Sequence, residues 1–194
     1  MSEKTTKEVT LIAPTDIEAV KDHYALFEQL KKEMLIPEVD YGTIPGVKKK
    51  SLFKAGGEKL VKLFNLYPSD IELTYRDVDL STGFVNFEYK VFLLNAAGTI
   101  VSSGVGSCNS FEEKYLYYWA EKPQPERHVQ LEMKAKRIGR NRKYMEKWVW
   151  QERTKKAPEE LIALKNTIQK MAKKRAFLDA VLMGLGGSQS LRRT

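Results

Sequence analysis

The sequence is poor in the residues that small proteins use for covalent or metal chemistry. One cysteine, Cys108, stands among 194 residues, so no internal disulfide can form and a multi-cysteine metal site is excluded. His23 and His128 are the only histidines, so no metal site of the zinc type is expected. No stretch approaches the roughly 18 apolar residues of a membrane-spanning helix, and the opening MSEKTTKEV lacks the apolar core of a signal peptide. These absences lead to the expectation of a cytoplasmic protein in a reducing compartment, without membrane attachment. The phosphate-cradling pattern G-x-x-x-x-G-K-[ST] is missing too, which disfavours nucleotide hydrolysis. There is no internal repeat and no low-complexity tract.

What is present in excess is positive charge. Lys and Arg number 33 against 25 Asp and Glu, a net charge of +8, which makes polyanions the expected partner class, nucleic acid first and an anionic membrane surface second. The 42% hydrophobic and 10% aromatic content suffices for one good core.

In chain order, residues 1–14 read as a polar flexible arm with at most a short strand at Val9–Ile12. Thr15 or Asp16 can cap a helix running to about Met34, with Ile17, Val20, Tyr24, Phe27, Leu30 and Met34 on one face; Pro37 ends it. Tyr41-Gly42 and Pro45-Gly46 are turn signals, after which Lys48, Lys49 and Lys50 lead into a short helix from about Gly56 that carries Leu60, Leu63 and Phe64 inward. Lys54, Lys59 and Lys62 add charge there. From Ile71 to about Cys108 the apolar period becomes two, with turns at Ser81-Thr82-Gly83 and Asn95–Gly98. The expectation is a three-stranded antiparallel meander, polar on the face that carries Glu72, Arg76, Asn86, Glu88 and Lys90. Gly104 and Gly106 suit the close approach of another backbone to its third strand.

Residues 111–157 mix aromatic and basic character. Tyr115, Tyr117, Tyr118 and Trp119 come first; K-A-K-R-I-G-R-N-R-K then places Lys134, Lys136, Arg137, Arg140, Arg142 and Lys143 in ten residues without an acid, and Tyr144, Trp148 and Trp150 follow. Cations neutralise phosphates and aromatic faces stack on unpaired bases, the means by which a single strand is held without its sequence being read. The alternative is a solvated loop whose aromatics cap the core.

Around this the chain sets a long amphipathic helix, expected from Pro158 to Gly187. Leu161, Leu164, Ile168, Met171, Leu178, Leu182 and Leu185 recur at spacings of three and four. Lys170, Lys173, Lys174 and Arg175 border that stripe with no acid before Asp179, and the stem of Arg175 falls within it. A solvated face would carry the same charges, so the helix alone does not decide between solvation and binding.

Three sheet strands followed by N-T-I-Q-K-M-A-K-K-R-A-F-L-D-A-V-L at 166–182, together with D-Y-G-T-I-P-G at 40–46, L-F-K-A-G-G-E-K-L at 52–60 and G-V-G-S-C-N-S-F-E-E-K-Y at 104–115, resemble the phage single-strand annealing proteins. Those recombination proteins share a β-β-β-α core with the eukaryotic strand-annealing ring protein. The resemblance covers about residues 38–187, with 120–157 outside its motifs as a basic aromatic insertion. It implies a single α+β domain over 15–187 with a tail at 188–194, and annealing of single-stranded DNA without ATP or cofactor. It further implies a homo-oligomeric ring or filament, and a cytoplasmic setting in the host. Its groove residues fall on Lys174 and Arg175, with Lys173 and Lys170 beside them and Arg76 and Lys90 on the opposite wall. Lys49, Lys50, Lys54, Arg137, Arg140, Arg142 and Lys143 complete the expected DNA-binding set, and Tyr118, Trp119, Tyr144 and Trp148 the base-stacking set. A phage exonuclease or a host single-strand-binding protein is the further partner class implied. The sequence to Thr194 shows no acidic extension of the kind through which some annealing proteins engage the latter.

Two other readings compete. In a metal-dependent nuclease, Asp77 or Asp79 and the Glu112-x-Lys114 pair would hold Mg²⁺ and position water. A scaffold or strand-protecting module would use the same cations without annealing, and a membrane-surface protein would need a broader exposed apolar helix face than this one.

Overall fold

The computed structural model describes residues 17–44, 50–125, 133–138 and 147–186; the arm expected at 1–14 and the tail at 188–194 lie outside them. The fold is α+β, with antiparallel sheets and a long C-terminal helix. The elements are α1 (Ile17–Met34), β1 (Tyr41–Thr43), β2 (Lys50–Leu52), α2 (Lys54–Leu63), β3 (Tyr67–Pro68), β4 (Glu72–Asp79), β5 (Phe84–Leu94), β6 (Ile100–Asn109), α3 (Glu113–Leu116), β7 (Tyr117–Lys122), β8 (Lys134–Ile138), β9 (Lys147–Lys155), α4 (Pro158–Ala163) and α5 (Lys165–Gly184). They fall into two compact units, Met1–Lys59 with Gly186–Thr194, and Leu60–Leu185.

The first unit is organised by a buried carboxylate. Asp40, wholly shielded from solvent, accepts the Ile36 N–H at 2.8 Å and a bond from Lys59 Nζ. Burial pushes its pKa up, but these donors outweigh it and hold the group below the ordinary carboxylate range. The Asp40 carbonyl accepts the Phe53 N–H at 2.8 Å and lies against Gly56, where a Cβ would collide with it. The acid of the D-Y-G-T-I-P-G run therefore joins the end of α1 to α2, and β1 pairs with β2 next to it. Of the apolar face expected on α1, Phe27 is buried, whereas Ile17, Val20 and Met34 stay exposed.

The second unit is built on β5. Its residues alternate strictly between buried and half-buried, and Val85, Phe87, Tyr89, Val91 and Leu93 form the buried set. β4 and β6 pair with it antiparallel on opposite sides, and β3 pairs with its far end through Tyr67 and Pro68. The sheet thus has four strands where the alternation predicts three, because a two-residue strand containing proline leaves no periodic trace. A second difference concerns Arg76. An irregularity between Leu73 and Tyr75 shifts the register, so that Tyr75 pairs with Glu88 and Arg76 with Phe87. One extra residue turns every later side chain to the other face, and Arg76 leaves the polar face for the side that carries α5.

α5 lies across β6 and β5. Gly104 and Gly106 are the reason it comes so close. A Cβ on Gly104 would lie 2.8 Å from Ala180 Cα, and one on Gly106 would lie 2.7 Å from the Arg175 carbonyl carbon. The helix answers with its smallest side chains: Ala172, Ala176 and Ala180 are fully buried, flanked by Ile168, Phe177 and Val181. Of the expected stripe Leu161, Ile168 and Leu185 are buried, while Met171, Leu178 and Leu182 are only half-buried, because the glycine strand admits backbone where leucine would not fit. The single helix expected from Pro158 is also divided at Leu164 (φ −78°, ψ −1°) into α4 and α5. Pro158 opens α4, and the Glu160 carboxylate accepts the Ala157 N–H at 2.9 Å.

The basic aromatic insertion expected at 120–157, for which no strands were anticipated, contributes to an antiparallel sheet of order β7-β9-β8.

Replacing Gly106 with alanine is expected to cost at least about 2 kcal/mol, since neither backbone can give way. Gly98→Asn, at a turn with φ 78° and nothing within 4 Å, should cost under about 1 kcal/mol. Urea denaturation of the two variants checks this, and equal midpoints would contradict the seat described for α5.

Candidate nucleic-acid interface

The K-K-R run of α5 is split by its own helix. Taking Ala176 as the direction of the sheet, about 100° per residue sends Arg175 and Asp179 to roughly −100° and −60°. Lys173, Lys170 and Lys174 fall at roughly +60°, +120° and +160°. The contacts agree. Arg175 reaches around the free edge of β6 and donates to the Ser107 carbonyl at 2.6 Å, while Asp179 accepts the Val105 N–H at 3.0 Å. Lys173 Nζ lies instead over the ring of Tyr89 on β5, 5.0 Å from its centroid, and Gln169 donates to the Tyr89 hydroxyl at 2.6 Å.

On the lysine flank, beyond Tyr89, the α5 side of edge strand β4 is open. Leu73, which pairs with Tyr89, is 47% exposed, and Arg76, which pairs with Phe87, is exposed too. Tyr89 forms the floor between them and the helix. Among the described residues no carboxylate pairs with Lys170, Lys173, Lys174 or Arg76. Among the described residues this is a cationic shelf without a paired carboxylate, with Leu73 as exposed apolar surface beside it and Tyr89 buried beneath.

Arg175 is differently employed. Its guanidinium bonds both oxygens of Glu112, one at 2.8 Å, and Lys114 Nζ stands 3.4 Å from the same carboxylate. Burial pushes the Glu112 pKa up, yet the bonds from Arg175 and Cys108 outweigh it and bring it to about 2. The Glu112 bond in turn raises the pKa of Arg175. Burial, with Glu112 adding to it, raises Cys108 to about 11, so the lone thiol is protonated and inert at neutral pH. Burial likewise takes Tyr115 to about 12. The residues from Cys108 to Tyr115 thus anchor the end of β6 to α5. Sequence reasoning missed this, although the Glu112 of the E-E-K-Y run was in view as a metal ligand.

The remaining candidates are dispersed. Lys90 pairs with Glu72 and Val105 on the face away from α5, its Nζ 4.7 Å from the Phe92 ring centroid. In the first unit Lys50 lies over Tyr41 at 5.8 Å and Lys54 pairs with Glu58 at 3.1 Å. Tyr118 and Trp119 are exposed on β7. Arg137 and Trp148 occupy paired positions on β8 and β9, and nothing further of their side chains is described. Lys49, Arg140, Arg142, Lys143 and Tyr144 lie outside the described residues.

Of the acids of the nuclease reading, Glu112 is held by Arg175 and Asp79 is bonded within its own turn. Asp79 accepts from the Ser81 N–H, the Ser81 hydroxyl and the Thr82 hydroxyl at 2.6 to 2.8 Å, and the Ser81 and Thr82 bonds lower its pKa to about 2. It caps the turn between β4 and β5. No three His, Cys, Asp or Glu side chains converge among the described residues, and no helix among them is long and apolar enough to cross a membrane. No protein-family model matches the chain, and no curated protein is significantly similar to it.

Arg175→Ala strips a largely shielded carboxylate of its partner and should cost about 2 kcal/mol of stability at pH 7; Lys174→Ala should cost less than about 0.5 kcal/mol. The folded pKa of Glu112 is depressed, from 4.5 to about 2. The contribution of the pair is therefore complete above pH 4.5 and fades as pH falls toward 2. Denaturation from pH 7 to pH 2.5 checks this: the gap between wild type and Arg175→Ala should narrow as the acid range is entered, and a constant gap would contradict it.

Proposed function

We propose that this chain binds single-stranded DNA along the lysine flank of α5 and anneals complementary strands without nucleotide or cofactor, as a recombination and repair protein. The observation that carries the reading is that Lys170, Lys173, Lys174 and Arg76 have no carboxylate partner among the described residues, with Lys173 over Tyr89 and Leu73 exposed nearby. Phosphates in sequence would meet the lysines, and no carboxylate need be displaced first. The work asked of these groups is charge neutralisation and positioning alone.

In the phage annealing proteins that the sequence resembles, the core is β-β-β-α. We read β4, β5, β6 and α5 as that unit, with β3 and the β7-β9-β8 sheet as additions. Arg175, given a DNA contact by the resemblance, becomes in this reading the staple that fixes the helix against β6, leaving Lys174 as the phosphate ligand. A homo-oligomeric ring or filament, a phage exonuclease or host single-strand-binding protein as partner, and a cytoplasmic setting belong to the same proposal and rest on the resemblance. The nuclease reading has less support, since Asp79 and Glu112 are already bonded within the fold. A strand-protecting module without annealing is the nearer alternative; it needs the same shelf but no outward presentation of bases.

Fluorescence anisotropy of a labelled oligonucleotide across a salt series tests the assignment. At about 0.7 per phosphate contact on a single strand, Lys170→Ala/Lys174→Ala should lower the slope of log K against log salt by about 1.4 and leave the thermal midpoint unchanged. Unaltered affinity and slope in this folded variant would remove the site from the shelf.

A further inference from the structure

The β7-β9-β8 sheet carries a second interleaving of cations and rings, separate from the α5 shelf. Tyr117 pairs with Lys155, Trp119 with Arg153 and Glu121 with Gln151, while Lys134 on β8 pairs with the same Gln151 from the other side. Paired residues share a face, so Tyr117, Trp119, Glu121, Lys134, Gln151, Arg153 and Lys155 lie together. Within that set Lys134 Nζ stands 3.2 Å from the Trp119 ring centroid and Arg153 Cζ 4.0 Å from that of Tyr117, and at its margin Lys155 Nζ stands 5.7 Å from the ring centroid of Phe111.

This face is accessible at its margins, although Gln151 at its centre is buried. Trp119 is 43% exposed, and Lys134, Arg153 and Lys155 are exposed beside it. On the opposite face Tyr118 is exposed as well and Lys122 pairs with Glu152 at 3.3 Å, so the sheet buries neither side fully. A three-stranded sheet gains most of its stability from a covered face, and large exposed rings mark places that a partner covers. Among the described residues the acids near it are Glu121, on the face, and Glu113, which pairs with Arg153 at 2.6 Å at its margin.

We infer that this face is a second binding surface for single-stranded nucleic acid, with Trp119 as the stacking platform and Lys134, Arg153 and Lys155 as phosphate ligands. Tyr117 and Trp119 are two residues apart on one strand, about 7 Å, roughly twice the 3.4 Å rise of a stacked strand in a duplex. A nucleic acid seated on both rings is therefore stretched and unstacked, which a single strand permits and a duplex does not. Phosphate would take Arg153 from Glu113, and a base would take the place of Lys134 over Trp119. The inference rests on the proposal that the chain handles single strands, and extends it: with one strand on the α5 shelf and another on this face, a single subunit holds both reactants of an annealing step.

The test uses the full chain with oligothymidylate. In a Trp148→Phe/Trp150→Phe background Trp119 is the only tryptophan, and its emission should fall at least twofold on saturation. The fall should persist when Lys170→Ala/Lys174→Ala is added. Trp119→Ala/Lys134→Ala should lose the second equivalent of bound oligonucleotide and anneal at least tenfold more slowly; Trp119→Phe should restore most of both. Oligonucleotide binding with unquenched Trp119, or quenching by duplex and not by single strand, would overturn the second surface while leaving the shelf intact. Wild-type protein that binds no oligonucleotide would overturn both. Should the alanine variant lose its fold, the quenching measured on the folded tryptophan background decides alone.

Discussion

The close seat of α5 on β6 is the constraint on which the second unit depends. Two glycines remove the side chains that would hold helix and strand apart, and three alanines let the helix backbone descend into the space. Contacts so short depend on packing at near-crystalline density, which leaves the helix little freedom to roll. The rotation of α5 is thereby fixed, and with it the fate of every charge it carries. Arg175 and Asp179 fall to the edge of β6, where they satisfy a carbonyl and an N–H that a free edge would expose. Lys170, Lys173 and Lys174 fall to the other flank, with Lys173 over Tyr89. A roll of one residue would exchange these roles and bury a lysine without a partner.

The same geometry explains why cations so close in sequence differ in kind. Glu112 and the Ser107 carbonyl take three of the five N–H donors of Arg175, and a bidentate guanidinium pair is the strong form of such a bond. Lys173 lies over the Tyr89 ring and none of the three lysines has a carboxylate partner among the described residues, and cation–π contact at an accessible site is worth under about 1 kcal/mol. Exchange of that contact for a phosphate costs little, whereas breaking the Arg175–Glu112 pair costs the protein its corner. Affinity and stability are thus divided between neighbouring residues of one helix.

Much of this was legible in the sequence, but unevenly. The period of two over 84–94 located β5, and Gly104 with Gly106 announced the approach of a backbone. The strong signals at the helix ends found α4 and α5, though not the break at Leu164, which involves neither glycine nor proline. The buried stripe was read only in part, with Leu161, Ile168 and Leu185 but not the alanines, because hydrophobic periodicity favours leucine, while the fit against glycine favours alanine, a residue that such patterns barely register. Arg76 changed faces through a bulge that alternation alone does not reveal. The β7-β9-β8 sheet was hidden for a different reason: its strands alternate charge with aromatic residues, and with both faces accessible the contrast between buried and exposed positions is lost. The role of Glu112 was out of reach, since its partner lies 63 positions further along the chain.

The central claim is that these charges serve strand pairing. It is tested most directly by following two complementary fluorescent oligonucleotides at moderate salt, with no nucleotide present and a gel that reports the integrity of both strands. The account predicts duplex formation accelerated by stoichiometric protein, both strands remaining intact. Strands that pair no faster than in buffer, or that are shortened, would contradict it.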